Sequence, residues 1–195
     1  GNRKNLEDLR HKIKRYRIDK IRDVVLGGKV RQASVVNGLM AIDNQTDLVL
    51  IHDGVRPFIN KEMVSSVIKA AKTGGAAIVG IPVKATIKSV KVSLPVRQAG
   101  KCQSVKGKFI IERTLNRNNL WEIQTPQVFK RELILEAYNR FGNTHVTDDA
   151  SLVEKLGSPV KVVMGSYFNI KITTLEDLIL AEAIAKSLRN ERVSV

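Results

Sequence analysis

The segment LVLIHDGVRP at residues 48–57 changes abruptly from apolar to polar residues. This pattern predicts a buried strand with polar groups at its carboxyl end, which is the edge where open α/β sheets bind ligands. Asp53 has a carboxylate that can hold a divalent metal or orient a sugar hydroxyl, and Arg56 has a planar guanidinium that suits phosphate. The alternative is a plain strand-to-helix turn with one surface ion pair.

Further polar clusters occur where other strands should end or helices begin. The segment GGKVRQAS at residues 27–34 precedes a predicted helix, whose first backbone N–H groups can hold a phosphate or a base carbonyl. Taken singly, each cluster also has a structural interpretation. Thr147, for example, is a candidate cap for the helix predicted to begin at residue 148. Together, cations, hydroxyls and a carboxylate suit phosphoryl or nucleotidyl transfer, which depends on positioning and charge neutralisation. The candidates in these clusters are Gly28, Lys29, Ser34, Thr86, Arg117, Thr125, Thr147 and Lys171.

Histidine chemistry is not indicated, because the sequence contains no evident Ser–His–Asp arrangement. His52 directly precedes Asp53, and side chains alternate along a strand. We therefore expect His52 to face away from Asp53.

Length and composition indicate one globular domain. The chain has 195 residues, 43% of them hydrophobic, and no apolar segment approaches the ~20 residues that span a bilayer. The first residues are charged, which is not typical of a signal peptide. The single cysteine, Cys102, excludes an internal disulfide and a cysteine-rich zinc site. We expect the protein to reside in the cytoplasm, or in a plastid after removal of a transit peptide, and we expect no membrane association.

A net charge of +14 favours anionic partners, namely nucleic acid, an anionic membrane surface or phosphorylated small molecules. The charge is concentrated in residues 1–31, and no acidic residue occurs between Glu62 and Glu112. Nucleic acid is the weaker hypothesis, because the chain lacks zinc-finger spacing and an aromatic-studded basic stripe.

Hydrophobic periodicity predicts an alternation of strands and helices, and therefore an α/β fold with a largely parallel sheet covered on both faces. Lys171 is predicted to lie on a half-buried strand over residues 169–173, sharing a face with Asn169 and Thr173. Residues 174–177 have the form of a capping box. Helices are predicted at residues 5–17, 31–42, 61–72, 131–140, 148–156 and 175–188, and strands at residues 21–26, 48–51, 76–83 and 159–164.

Residues 87–113 interrupt this alternation with short apolar pieces among Lys, Ser, Gly and Pro. They predict a projecting β-arm with its turn near residues 98–101. Because an isolated two-stranded arm is marginally stable in water, we expect it to pack against a second subunit. A mobile surface loop is the alternative.

Several motifs occur in an order that resembles the 2-C-methyl-D-erythritol 4-phosphate cytidylyltransferase family of the non-mevalonate isoprenoid pathway. The similarity extends from about Ile21 to Ala185. It is carried by HDGVRP at 52–57, PVKATIK at 82–88, NR at 116–117 with LW at 120–121, QTPQ at 124–127, TDDAS at 147–151 and NIKIT at 169–173.

The resemblance implies a Rossmann-like three-layer sandwich of the nucleotidyltransferase type and a reaction in which the substrate phosphate attacks the α-phosphate of CTP. Pyrophosphate then leaves with Mg²⁺ assistance. It also implies a homodimer through residues 87–113, with Arg117 serving the partner's site. By position, Lys171, Asp53 and Arg56 would be catalytic, with Asp53 also a metal ligand. Thr86, Arg117, Thr125 and Thr147 would bind methylerythritol phosphate. Gly28, Lys29 and Ser34 would bind the cytidine of CTP.

Three departures from the family pattern affect these expectations. The chain as printed begins after the family's first strand and glycine-rich triphosphate loop, so for a chain of this extent we expect little or no turnover and reduced stability. The arm has a long basic insert over residues 92–106. Ala85 replaces an aspartate that often precedes the threonine, which affects the hydrogen bonding of Thr86.

The sequence leaves three alternatives to this enzyme. One is a cytidylyltransferase for ribitol 5-phosphate, although the NR and LW motifs favour methylerythritol phosphate. Another is a basic module that binds polyanions through residues 1–31 and 88–108. The third is a dimerisation protein that keeps the fold without activity.

Overall fold

The computed structural model describes residues 3–92 and 109–193. Helices and strands alternate through most of this length, as the sequence predicts. The helices are α1 Arg3–Arg15, α2 Arg31–Met40, α3 Lys61–Gly74, α4 Arg131–Phe141, α5 Ala150–Lys155 and α6 Leu175–Val193. The strands are β1 Leu48–Ile51, β2 Ala76–Pro82, β3 Lys88–Val92, β4 Phe109–Thr114, β5 Trp121–Lys130 and β6 Lys161–Met164.

The central sheet has four described strands in the order β1-β5-β2-β6. Strand β5 is antiparallel to both β1 and β2, whereas β2 and β6 are parallel. Strands β1, β2 and β6 therefore run in one direction, and their carboxyl ends meet at one edge. The sheet is mixed rather than uniformly parallel because β5, which the sequence pattern did not predict, lies in reverse at its centre.

Helices cover both faces of the sheet, which confirms the three-layer α/β architecture. Alternation along β2 puts Ala77 and Val79 against α3, where Val67 and Ala71 are fully buried. The opposite face of the sheet packs against α2, α4 and α5. Its buried residues include Leu39, Ala76, Ile78, Phe129, Ile134 and Leu152.

The base of the predicted arm is present as an antiparallel pair of β3 and β4, separate from the central sheet. Val90, Phe109 and Ile111 on this pair are 50%, 58% and 60% exposed, so the arm presents an apolar surface. The predicted turn and the basic insert fall on residues 93–108, outside the described residues.

Two predicted strands are absent from the described chain. Residues 21–28 are irregular, because no described strand lies beside them. The Leu26 carbonyl instead accepts a hydrogen bond from Asn37 Nδ2 of α2 at 2.9 Å. Residues 169–173 form a loop rather than a strand. Lys171 does not share a strand face with its neighbours, since Asn169 is buried and Thr173 bonds to Asp177 at the start of α6.

The capping prediction for α6 is confirmed, because the Asp177 N–H donates to Thr174 Oγ1 at 3.2 Å and Asp177 Oδ2 accepts from the Thr174 N–H at 2.9 Å. The helix continues five residues beyond the predicted end. Within residues 3–92 and 109–193, no helix is long and apolar enough to cross a membrane.

Candidate active site

Asp53 follows β1 and lies among three cations. Its Oδ2 is 3.2 Å from Lys171 Nζ and 3.7 Å from Arg56 Nε, and its Oδ1 is 3.2 Å from Arg31 Nε. The Asp53 side chain is only 14% exposed, so these charges are poorly screened by water. One carboxylate thus organises three positive groups at the carboxyl edge of the sheet.

Burial alone would raise the pKa of Asp53. The hydrogen bonds and charges of Lys171 and Arg31 outweigh burial and hold the pKa below its ordinary value of 3.8. Asp53 is therefore a stable anion at neutral pH. It serves as an anchor for cations rather than as a proton donor.

Arg31 was not among the residues chosen from the sequence, although it lies in the GGKVRQAS segment. As the first residue of α2, it bridges Asp53 and Asp149, with Nη2 at 2.7 Å from Asp149 Oδ2. Asp149 is 1% exposed and also accepts from the Tyr138 hydroxyl. Arg31 therefore joins α2, the Asp53 loop and the start of α5.

The Arg56 side chain is buried and fixed from the other side of the loop. Its Nη1 donates to the Asn169 carbonyl at 2.7 Å. The Asn169 amide nitrogen donates to Gln124 Oε1 at 3.0 Å and to the Thr125 carbonyl at 2.9 Å. The Ile172 N–H donates to the Val55 carbonyl at 2.9 Å. These bonds hold the Asp53 and Lys171 loops together.

Thr125 reaches the same loop because β5 is irregular beside it. Register along β2 jumps from Gln127 opposite Ile78 to Gln124 opposite Val79, so Thr125 and the residue after it have no partner on β2. Thr125 Oγ1 accepts from the Asp53 N–H at 3.0 Å and lies 3.0 Å from His52 Nδ1.

The TDDAS motif forms the opposite wall of the site. Asp148, rather than Thr147, caps α5, because its Oδ1 accepts from the Ser151 N–H at 3.1 Å. Asp148 Oδ2 also accepts from Gln127 Nε2 at 2.9 Å. Thr147 is exposed and free of the capping role suggested for it.

Several of these groups line one cleft of about 430 Å³. Of the predicted site residues, the cleft brings together Asp53, Arg56, Thr125, Thr147 and Lys171, and it adds Arg31. His52 is not among its lining residues, but the expected strand alternation does not apply to it, because β1 ends at Ile51. The sequence therefore predicted five of the residues that line this cleft.

The predicted cytidine-binding residues lie outside this cleft. The Gly28 N–H donates to Ser34 Oγ at 3.0 Å, and Ser34 Oγ donates to the Val30 carbonyl at 3.2 Å. Lys29 is exposed, and Val30 gives α2 no side-chain cap. The backbone N–H groups that begin α2 therefore have no side-chain acceptor at the N-cap position.

Thr86 and Arg117 also lie outside the cleft, at the base of the arm. Both are exposed. Arg117 Nη1 donates to the Lys84 carbonyl, and Lys84 Nζ lies 3.5 Å from the centre of the Tyr167 ring. The structure thus separates these two predicted substrate contacts from the Asp53 cleft of the same chain.

A resident magnesium ion does not fit at Asp53, since both carboxylate oxygens already face cations. The described residues contain no group of three His, Cys, Asp or Glu side chains arranged to hold a metal ion. Magnesium commonly uses substrate phosphates for much of its coordination, so an ion carried by a triphosphate needs no such group.

Comparison with known proteins identifies the family. The family model described as 2-C-methyl-D-erythritol 4-phosphate cytidylyltransferase, IspD, matches residues 5–187. The chain belongs to this family. The expected α/β nucleotidyltransferase fold is confirmed by solved cytidylyltransferases of similar structure.

Curated relatives carry the same name. The Syntrophus aciditrophicus cytidylyltransferase is 47% identical over 175 residues, which are 89% of this chain and 68% of that protein. The Geotalea uraniireducens cytidylyltransferase is 46% identical, over 93% of this chain and 73% of the relative.

Two solved structures share the fold. The 4-diphosphocytidyl-2C-methyl-D-erythritol synthase from Anaerococcus prevotii has a TM-score of 0.77 at 34% identity, covering 95% of this chain and 78% of that chain. The Thermus thermophilus cytidylyltransferase has a TM-score of 0.67 at 37% identity, covering 83% of this chain and 71% of that chain.

Family membership confirms a cytidylyltransferase, that is, a nucleotidyltransferase of isoprenoid biosynthesis. The family's reaction transfers a cytidylyl group from CTP to 2-C-methyl-D-erythritol 4-phosphate, forming 4-diphosphocytidyl-2-C-methyl-D-erythritol. The match favours this substrate over ribitol 5-phosphate. It also disfavours the basic binding module, because a family model over most of the chain explains more than its charge does.

Proposed function

We propose that the Asp53 cleft is the part of this cytidylyltransferase that binds methylerythritol phosphate and aligns it with CTP. The observation that carries this proposal is the convergence of Arg31, Arg56 and Lys171 on one largely buried carboxylate, that of Asp53. Cations fixed at this end of the cleft suit a reaction between two anionic phosphates, while Asp148 and Glu154 also line the cleft.

In the proposed reaction, an oxygen of the substrate phosphate forms a bond to the α-phosphorus of CTP, and the bond from that phosphorus to the β-phosphate oxygen breaks. Pyrophosphate leaves. Lys171 is 43% exposed, so its remaining N–H donors can reach the phosphate on which charge accumulates. Asp53 orients Lys171 and can accept a hydrogen bond from a substrate hydroxyl.

Arg56 acts mainly by positioning in this proposal. Its side chain is 9% exposed, and Nη1 donates to the Asn169 carbonyl. It contributes positive charge to the cleft from below the surface. Thr147 is the freer hydroxyl for a substrate contact, whereas Thr125 is already engaged with Asp53 and His52.

A homodimer through the arm at residues 87–113 remains part of the proposal. The exposed apolar residues of β3 and β4 support it, since such a surface is costly to leave in water. In such a dimer, Thr86 and Arg117 would serve the site of the partner subunit. Their position outside the cleft of their own chain is consistent with this arrangement.

The segment around Gly28, Lys29 and Ser34 is proposed to contact the cytidine of CTP, through the backbone groups that precede α2. Arg31, on the same segment, connects it to the Asp53 cleft. Mg²⁺ is proposed as the ion of the CTP triphosphate, where it would neutralise phosphate charge.

We further propose that residues 1–195 belong to a single cytidylyltransferase domain, in the cytoplasm or in a plastid. A reducing compartment suits a chain with one cysteine. The single central sheet, with helices on both faces, supports the one-domain organisation over the described residues.

The decisive experiment measures pyrophosphate release by mass-verified protein with CTP, Mg²⁺ and methylerythritol phosphate. Ribitol 5-phosphate replaces the substrate in a parallel reaction, and EDTA replaces Mg²⁺ in another. Any release should require both methylerythritol phosphate and Mg²⁺. Release with ribitol 5-phosphate alone would reassign the substrate, and release with neither would refute turnover by this chain.

A further inference from the structure

His52 has two directional contacts that the proposed reaction does not use. Its Nδ1 lies 3.0 Å from Thr125 Oγ1, and its Nε2 lies 3.0 Å from the Arg56 carbonyl oxygen. The ring therefore connects β5 to the loop that carries both Asp53 and Arg56.

The direction of each hydrogen bond follows from counting donors. A carbonyl oxygen only accepts, so His52 Nε2 carries the proton that it shares with Arg56. In the neutral ring, Nδ1 is then an acceptor. Thr125 Oγ1 accepts from the Asp53 N–H, and its single hydroxyl proton is directed to His52 Nδ1.

We infer that His52 is a positioning residue for cytidylyl transfer. Through the Thr125 hydroxyl, His52 fixes the Asp53 backbone and, with it, the cations of the cleft. The chain of bonds runs from the Asp53 N–H through Thr125 and His52 to the Arg56 carbonyl. It closes a ring around the Asp53 loop. This inference rests on the assignment of the cleft to methylerythritol phosphate.

Two conservative variants separate the two contacts of His52. The amide of Asn reaches the position of Nδ1, so His52→Asn can still accept from Thr125 but loses the Arg56 bond. The amide of Gln reaches the position of Nε2, so His52→Gln keeps the Arg56 bond and loses the Thr125 acceptor. His11→Gln, on the exposed face of α1, is the matched control.

The kinetic test measures KM for methylerythritol phosphate and for CTP separately. We expect His52→Gln to raise the KM for methylerythritol phosphate about three- to tenfold, the range of one hydrogen bond, and to change the KM for CTP less than about twofold. His52→Asn should be rescued to within about twofold of the parent protein. Equal losses in both variants, or a larger loss in His52→Asn, would overturn the inference.

A double variant tests whether His52 and Thr125 act through the same hydrogen bond. Thr125→Val keeps the shape of the side chain and removes its hydroxyl. In the Thr125→Val background, His52→Gln should change the KM for methylerythritol phosphate by less than about twofold, because the bond is already lost. A full additional effect would show that His52 does not act through Thr125.

An NMR measurement decides the bonding without turnover. At about pH 8, where an ordinary imidazole is neutral, long-range ¹H–¹⁵N spectra should show His52 protonated at Nε2 only. The Nδ1 resonance should move in Thr125→Val. Protonation at Nδ1, or an unchanged Nδ1 resonance, would refute the relay even in a protein that turns over. Absence of methylerythritol phosphate binding by the parent protein would instead refute the proposed function.

Discussion

Lys171 Nζ lies 3.2 Å from Asp53 Oδ2, although the two residues belong to loops far apart in the sequence. The backbone bond from the Ile172 N–H to the Val55 carbonyl, at 2.9 Å, joins those loops directly. The ion pair is therefore fixed by the main chain. Because Asp53 is largely buried and Lys171 is partly exposed, the anion is anchored while the cation remains accessible to substrate.

Removal of this cation should lower turnover. We expect Lys171→Ala to reduce kcat by more than tenfold, because a lone cation directed at transition-state charge contributes on the order of 2–4 kcal/mol. Pyrophosphate release under saturating substrates measures the effect. Lys69→Ala, on the exposed face of α3, removes the same charge elsewhere and should leave kcat unchanged. Similar rates for the two variants would exclude Lys171 from the site.

Asp53 should contribute to stability in a pH-dependent manner. Because Lys171 and Arg31 outweigh burial and lower its pKa in the folded protein, the contribution is present above the ordinary value of 3.8. It is lost as pH falls through the folded pKa. The difference in unfolding free energy between the parent and Asp53→Asn should therefore be constant near neutrality and shrink below pH 3.8. Urea unfolding between about pH 3 and pH 7 measures it. A difference that is independent of pH would contradict this assignment.

The sequence predicted the residues that meet at strand ends. An apolar segment that ends in Asp53 and Arg56 indicates both a strand and its carboxyl edge, and β1 and its loop have that form. The capping pattern at Thr174 likewise located the start of α6. These features depend on local sequence, so they can be predicted without knowledge of the sheet order.

Strand β5 and Arg31 depend on contacts between distant segments. In β5 the central residues are buried on both faces, so the period-two alternation that marks a half-buried strand is weak. Arg31 had a local signal in its glycine-rich segment, but its role follows from Asp149, which lies far along the chain. The predicted strand at residues 21–26 failed for the same reason, since a strand requires a neighbour that local sequence does not specify.

Arg31 should be important for stability as well as for the cleft. Arg31→Met leaves the buried Asp149 carboxylate with the Tyr138 hydroxyl but without its cation. Since the Arg31 side chain is 35% exposed, we expect Arg31→Met to lower the free energy of unfolding by about 1–3 kcal/mol, less than the loss of a fully buried pair would. Arg140→Met breaks an exposed ion pair with Glu136 on α4 and should cost less than about 0.5 kcal/mol. Equal unfolding free energies for the two variants would show that Asp149 does not depend on Arg31.

Glycines in and beside α2 should respond in opposite directions to the same substitution. A Cβ on Gly28 would lie 2.3 Å from Ala33 Cβ and 3.0 Å from its carbonyl carbon, so the segment must shift and its bond to Ser34 must weaken. We expect Gly28→Ala to lower the free energy of unfolding by about 1–3 kcal/mol and to raise the KM for CTP severalfold.

Gly38→Ala is the matched control, because a Cβ at Gly38 meets nothing within 4 Å. Alanine in a helix interior is favoured over glycine by about 0.5–1 kcal/mol, so this variant should be more stable than the parent and should have an unchanged KM for CTP. Thermal unfolding and CTP-dependent kinetics on the two variants measure both effects. An unchanged KM for CTP in Gly28→Ala, with the expected loss of stability, would limit Gly28 to a structural role.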